Sequence, residues 1–212
     1  MKRLMFKAAP AVLAVSLLAG CSEDRPSDKV AGPVVRQQAE TDLLEGLEIV
    51  DFQRSNGQVD PVSAYRYKVT YTYRLRLARP FGEVVLATAR PLSEELHQAM
   101  AGAARADGDW DALQQSTRLM RFSMAASQWV ANQGDGFDAR RDALLAACEP
   151  CRAFWESADD PGRAELRRIA FINVWSYLED KQFRDGAQVG DSVERYAWHY
   201  FEKTEKGWLP AS

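Results

Sequence analysis

Residues 65–77 read YRYKVTYTYRLRL, and this stretch decides the fold. Its odd positions carry aromatic or aliphatic side chains, whereas its even positions carry Arg, Lys or Thr. Because side chains along a strand alternate between two faces, the pattern predicts one long strand with one face on a core. Strands of parallel sheets are covered on both faces and lose this alternation. The sheet is therefore expected to be antiparallel.

Further strands are expected on both sides of this stretch. An apolar segment from Leu47 to Phe52 ends at Ser55-Asn56-Gly57, where Asn and Gly both accept the positive φ of a tight turn. Near the C-terminus, aromatic residues alternate over 196–201, and Gly207 suits the left-handed position of a hairpin loop. We expect this hairpin to join the long strand in one sheet.

The segment between these strands has helical periodicity. Residues 83–89 are compatible with a short strand or with helical turns, and beyond Pro91 the apolar spacing becomes helical, with Ser93 as a candidate cap. A second helix is expected to open at Asp109 or Asp111 and to stop at Gly134.

This second helix carries two apolar stripes, which predicts a central helix covered on more than one side. The first stripe contains Leu113, Met120 and Met124, and the second contains Phe122 and Val130.

A last helix is expected from Asp160-Pro161 to about Phe183, because Asp caps and Pro suits the first turn. Asn173 is a polar residue on its apolar stripe and would need partners if buried. Strands at both ends and helices between them predict an α+β fold, an antiparallel sheet whose aromatic face packs on the helical segment 92–184.

Composition excludes several classes of protein. The chain has 212 residues, 46% of them apolar, with 27 basic and 30 acidic side chains. These values exclude a disordered chain, a collagen-like chain and a polytopic membrane protein, and the length suits one compact domain. A net charge of −3 and a pI near 5.5 mean that the protein as a whole does not attract the phosphates of a nucleic acid. No nucleic-acid partner is therefore expected.

The N-terminus has the build of a secretory signal peptide. Lys2, Arg3 and Lys7 precede an apolar run, residues 8–20, whose thirteen residues include one polar member, Ser16. A helix that spans a bilayer needs about 20 apolar residues, whereas a positive segment followed by 7 to 15 apolar residues is typical of a signal peptide.

The run ends in Leu18-Ala19-Gly20-Cys21, which resembles the lipobox of the bacterial lipoprotein signal class. The resemblance covers the first 21 residues and leaves the rest of the chain unassigned to a family. It implies cleavage before Cys21, a diacylglycerol thioether on the Cys21 sulfur, and a fatty acyl chain such as palmitate on its new amino group. Ser22 stands where Asp marks inner-membrane retention in enteric-type bacteria, so the resemblance implies the outer membrane, facing the periplasm.

This interpretation divides the chain into three parts. Residues 1–20 are the signal peptide, residues 21–40 a lipidated flexible tether rich in polar residues, and residues 41–212 a single α+β domain. Loss of the signal peptide removes three cations and no acid, and so changes the formal net charge from −3 to −6.

Two further cysteines form the sequence Cys148-Glu149-Pro150-Cys151. A thioredoxin-like redox site needs this motif just after a strand, haem attachment needs His where Arg152 stands, and a zinc site would have to recruit His97 and His199 without any known spacing. A local disulfide at a break between two helices is the favoured interpretation, since Pro150 suits the first turn of a new helix and an extracytoplasmic compartment favours disulfides.

Candidates for chemistry are few. His97 and His199 lie in no known nucleophile or metal motif, and the acidic pairs fall at expected helix starts, where they suit the helix dipole. We therefore assign no catalytic residue, no metal and no cofactor. The candidate partner-binding residues are four cations on the even face of the long strand, Arg66, Lys68, Arg74 and Arg76.

The sequence thus predicts a lipid-anchored periplasmic binding protein, such as an inhibitor or an envelope accessory protein. Its expected partners are the membrane, through the N-terminal lipid, and a protein or an anionic envelope polymer. The alternative is an envelope-acting hydrolase with a carboxylate or His-based site.

Overall fold

The structure of the protein is a computed structural model that describes residues 24–41, 43–103, 110–157 and 160–211. The expected signal peptide and Cys21 lie outside the described residues. The elements in chain order are α1 (Asp28–Glu40), β1 (Leu47–Asp60), β2 (Ser63–Leu77), α2 (Phe81–Ala103), α3 (Trp110–Gln133), α4 (Gly136–Ala147), α5 (Glu149–Glu156), α6 (Pro161–Asp180), β3 (Ser192–Thr204) and β4 (Gly207–Pro210).

The sheet confirms the α+β prediction. Its four strands are antiparallel neighbours in the order β1-β2-β3-β4, and the long strand expected over 65–77 is β2. β3 and β4 form the expected C-terminal hairpin, with Gly207 at φ +99°. β2 pairs with β3 from Arg66, opposite Glu202, to Arg76, opposite Ser192.

The predicted turn at Ser55-Asn56-Gly57 is wrong, because β1 runs through it. Gly57 pairs with Val69 inside the β1–β2 register. A Cβ atom on Gly57 would lie 2.7 Å from the Tyr67 ring, so this glycine makes room for an aromatic side chain. The chain turns instead after Asp60, whose Oδ1 accepts a hydrogen bond from Val62 N at 2.8 Å.

The predicted flexible tether is wrong over residues 28–40, which form α1. Ala31 and Val35 are fully buried in a cluster with four residues of the sheet, Tyr67, Val69, Tyr71 and Phe201. Asp28 Oδ1 accepts hydrogen bonds from the Tyr71 hydroxyl at 3.0 Å and from Arg54 Nη1 at 3.1 Å. Burial and this acceptor raise the pKa of Tyr71 to about 12. The folded domain therefore includes α1.

The helical segment differs from expectation at its start. Residues 83–89 lie in α2, which continues through Pro91, and Ser93 Oγ donates to Arg90 O at 2.8 Å instead of capping a helix. α6 begins as predicted, where Asp160 Oδ1 accepts from Gly162 N at 2.9 Å. The Asn173 amide finds its partners, the carbonyl oxygens of Phe122 at 3.0 Å and Ile169 at 2.7 Å.

The central helix is α6, not α3. α6 buries nine residues, whereas α3 buries Ala112 and Ala126. The second stripe of α3 packs on the core, but the first stripe, which includes Met120 and Met124, is exposed. A helix at the edge of the bundle needs one apolar stripe to dock, and here the second stripe suffices.

The odd face of β2 is covered in two parts. Helices α2 and α6 share the main core with one end of this face, at Leu75 and Leu77, and with Leu47 of the neighbouring β1. α1 covers the aromatic part. Within the described residues, no helix has the length and apolar character needed to cross a membrane.

Candidate functional site

The opposite face of the sheet, here called the outer face, carries all four predicted cations. It consists of the even residues of β2 and the β3 residues that pair with them, among which Tyr196 is 72% and Trp198 42% exposed. The β2 and β3 residues of this face do not belong to either core cluster of the described chain. The register places three aromatic residues at its centre, here called the aromatic row: Tyr196, Trp198 and Tyr200.

Three of the four cations lie within 4.0 Å of a carboxylate oxygen. Arg76 Nη2 lies 2.7 Å from Glu48 Oε2, and Arg74 Nη1 lies 3.7 Å from Asp51 Oδ2. At the other end of the strand, Arg66 Nε lies 3.9 Å from a Glu202 oxygen and 4.0 Å from an Asp60 oxygen.

One end of the face therefore has two arginines beside two carboxylates, and the other end has one arginine beside two carboxylates. The paired side chains do not form a basic patch.

The fourth cation, Lys68, and its neighbour Arg66 lie over aromatic rings. Lys68 Nζ is 4.3 Å from the centroid of the Trp198 ring, and the Arg66 guanidinium is 4.4 Å from that of Tyr200. The Trp198 and Tyr200 rings meet edge to face at 5.4 Å. Cation–π contacts of this kind order the long side chains and leave Tyr196 uncovered at the centre.

A cleft of about 290 Å³ opens beside β3, on the other side of the sheet, between the ends of α1 and α6. We call it the Arg195 cleft. Its polar lining includes Lys181, Arg195, Tyr73 and Tyr177, and its described lining residues include no carboxylate and no histidine. Burial raises the pKa of Tyr73, although the nearby Arg195 charge opposes the shift.

The two histidines lie apart. His97 Nε2 is 2.9 Å from Arg163 Nη2, and His199 Nδ1 is 3.3 Å from Gln38 Oε1. Neither ring is hydrogen-bonded to a carboxylate in the part of the chain that the structure describes. The described residues also contain no group of three or more His, Cys, Asp or Glu arranged to hold a metal ion.

The cysteines form the predicted local disulfide between α4 and α5. The pair Cys148–Cys151 is buried, and Cys148 Sγ accepts from Cys151 N at 3.3 Å in the first turn of α5. α2 packs closely on it, since a Cβ atom on Gly82 would lie 3.0 Å from Cys148 Cβ and 3.2 Å from Cys151 Sγ. This burial fits a structural crosslink, because thiol exchange needs an accessible sulfur.

Sequence reasoning missed the aromatic row and the Arg195 cleft. The alternation over 196–201 indicated a strand, but the position of its aromatic residues beside Arg66 and Lys68 depends on the β2–β3 register. The cleft depends on four segments, 38–47, 73–75, 177–181 and 195–198, that meet in the fold. No family model, curated protein or solved structure matches the chain.

Proposed function

We propose that this protein is a lipid-anchored periplasmic protein of the outer membrane that binds a partner protein through the outer face. The observation that carries the proposal is the aromatic row at the centre of the outer face, which no described helix covers and which ion pairs flank. Protein interfaces have this composition, with Tyr, Trp and Arg enriched in a central patch and a polar rim around it.

The charges of the outer face favour a protein over an anionic polymer. A polyanion binds when unpaired protein cations displace the small cations condensed on it, but Arg66, Arg74 and Arg76 already lie near carboxylates. Lys68 stands over the Trp198 ring. Shape and aromatic contact therefore remain as the main sources of affinity.

Two observations support the location. The sequence Leu18-Ala19-Gly20-Cys21, which resembles a lipobox, stands at the end of a short apolar run that follows three cations. The Cys148–Cys151 disulfide is expected in an oxidising compartment and unusual in the cytosol. Two or three acyl chains on one residue would make the attachment stable, whereas a single chain binds reversibly.

The lipid anchor can be tested by mass. Protein purified from membranes should have the mass of a chain that begins at Cys21 and carries a diacylglycerol and a fatty acid. Cys21→Ser should retain residues 1–20 and lose the lipid mass, because the modified sulfur is absent. A native product that is uncleaved, unmodified and found in the cytosol would refute the anchor.

Partner binding can be tested with two tyrosines of equal exposure. Tyr196→Asp places a charge at the centre of the outer face, and capture of the partner from cell envelopes should fall about tenfold or more, as for an interface hot spot. Tyr65→Asp is the matched control, since Tyr65 is 71% exposed but belongs to the other face of β2. It should leave capture unchanged.

The result would contradict the proposal if both variants captured the same protein as the native chain did. Equal loss in both variants would also contradict it, because the outer face would then have no special part. Recovery of a glycan or another polymer, with no protein dependent on Tyr196, would show that the partner class is wrong.

A further inference from the structure

One edge of the sheet is open next to the outer face. β4 is short and pairs with β3 only from Phe201 to Thr204. Over residues 192–199, β3 pairs with β2 on one side, and no described backbone group pairs with it on the other. Exposed strand edges are usually covered or kept short, because they invite another strand to pair.

The direction of the unpaired groups follows from Tyr200. Its carbonyl oxygen points away from β2, since it accepts a hydrogen bond from Ala211 N at 2.8 Å. Backbone groups of alternate residues point to the same side of a strand. The N–H and C=O groups of Trp198 and Tyr196 therefore point outward as well.

The Arg195 cleft lies directly against this edge. Residues 195–198 all line it, and because consecutive side chains point to opposite faces, the backbone edge itself forms one wall. Lys181 and Arg195 supply the positive charge of the cleft. Arg195 donates to neutral acceptors, Lys181 O and Glu194 O, so its charge is not neutralised by these contacts.

The geometry points to strand addition: an extended segment of the partner protein, carrying an acidic side chain, pairs with the β3 edge. Its main chain would bond to Tyr196 and Trp198, and its acidic side chain would enter the Arg195 cleft beside Lys181. Main-chain hydrogen bonds give affinity in this mode of recognition, and pockets for alternate side chains give specificity. The inference rests on the proposed function in one respect, that the partner is a protein.

Charge argues against a second copy as the occupant. Two β3 edges paired about a two-fold axis would bring Arg195 and Lys181 of both copies to the same face of the joined sheet. The described lining of the cleft offers no carboxylate to separate these cations. An acidic segment from another protein meets the same cations with the opposite sign.

Short peptides provide a test that needs no knowledge of the partner. The probes are peptides of alternating valine and threonine with aspartate, lysine or alanine at one central position. The aspartate peptide should bind about tenfold more tightly than the lysine peptide at low salt, by calorimetry. Methylation of alternate peptide nitrogens should abolish binding, because a methylated amide cannot donate.

Hydrogen exchange locates the bound peptide. The amides of Tyr196 and Trp198 should exchange more slowly in the complex, while those of Arg195 and Ala197, which face β2, serve as internal controls. The double variant Lys181→Gln and Arg195→Gln should bind the aspartate and lysine peptides equally. The peptide comparison in the native protein keeps the inference testable even if this variant does not fold.

Three outcomes would overturn the inference. The first is equal binding of all three peptides. The second is slower exchange at other amides with no change at Tyr196 and Trp198. The third is a concentration-dependent dimer that protects these two amides without peptide. If capture of the partner depends on Tyr196 but the aspartate peptide has no advantage, strand addition fails and the proposed function stands. If capture is independent of Tyr196, the proposed function fails instead.

Discussion

Val35→Asp should lower the free energy of unfolding by about 2 to 4 kcal/mol, because it places a carboxylate without a partner in a closed apolar cluster. Val35 is fully buried between α1 and the sheet, where its neighbours include Tyr71 and Phe201. The side chain would be solvated only if α1 left the sheet. Urea unfolding measures the loss, and faster amide exchange throughout α1 would show that the helix detaches.

Val30→Asp is the matched control on the same helix. Val30 is 38% exposed, and a negative charge near the first turn of a helix suits its dipole. This variant should change stability by less than about 0.5 kcal/mol, as is usual for surface substitutions. If Val35→Asp were equally harmless, residues 28–40 would be the flexible tether after all.

Arg140→Ala should lower the free energy of unfolding by about 2 to 3 kcal/mol. This loss is smaller than for a fully buried ion pair, because the three side chains are about one quarter exposed. The Arg140 guanidinium lies over the rings of both Trp129 and Trp175, 5.5 and 5.3 Å from their centroids. Nε and Nη2 donate to the two oxygens of Asp185, each at 2.8 Å, and Nη2 also donates to Glu179. The variant leaves both carboxylates without this cation.

The adjacent Arg141 is the control. It pairs with Asp138 and Asp142, whose side chains are largely exposed, so Arg141→Ala should cost under about 1 kcal/mol. Equal losses in the two variants would show that the Arg140 network contributes no more than a surface pair.

The Arg140 network also predicts a dependence on pH. Burial alone would raise the pKa of Asp185, but hydrogen bonds from Arg140 and Trp175 hold it below its ordinary value in the folded state. The corresponding stabilisation is complete above the ordinary aspartate pKa of about 3.9 and is lost as the pH falls through the lower folded value. The difference between native protein and Arg140→Ala should therefore shrink in acid, and a constant difference from pH 7 to pH 3 would contradict this account.

The sequence was sufficient where a pattern has one physical meaning. Unbroken alternation over 65–77 specifies a strand with two unlike faces, and Asp160-Pro161 supplies a cap and a first turn together. The sequence is insufficient where one residue type serves two purposes. Asn56-Gly57 predicts a turn, but Gly57 provides space for the Tyr67 ring within a strand.

The candidate site was less predictable than the fold, because it depends on contacts between distant segments. The cations of β2 were identified correctly as a set on one face, yet only the strand register shows that Glu202 lies opposite Arg66. The polar composition of residues 28–40 favoured disorder, although two small apolar residues on one stripe suffice to dock α1. Acylation of Cys21 remains a prediction.

The docking of α1 shortens the segment between Cys21 and the folded domain. Pro26 is already buried against the fold. An anchored Cys21 would therefore be joined to the globule by about five residues, which span at most about 18 Å when fully extended. If Cys21 is anchored as proposed, this short linker would keep the outer face and the Arg195 cleft close to the bilayer, and the proposed partner would have to approach the same leaflet. Lengthening the linker between 21 and 26 would enlarge the volume searched without altering any contact within the fold.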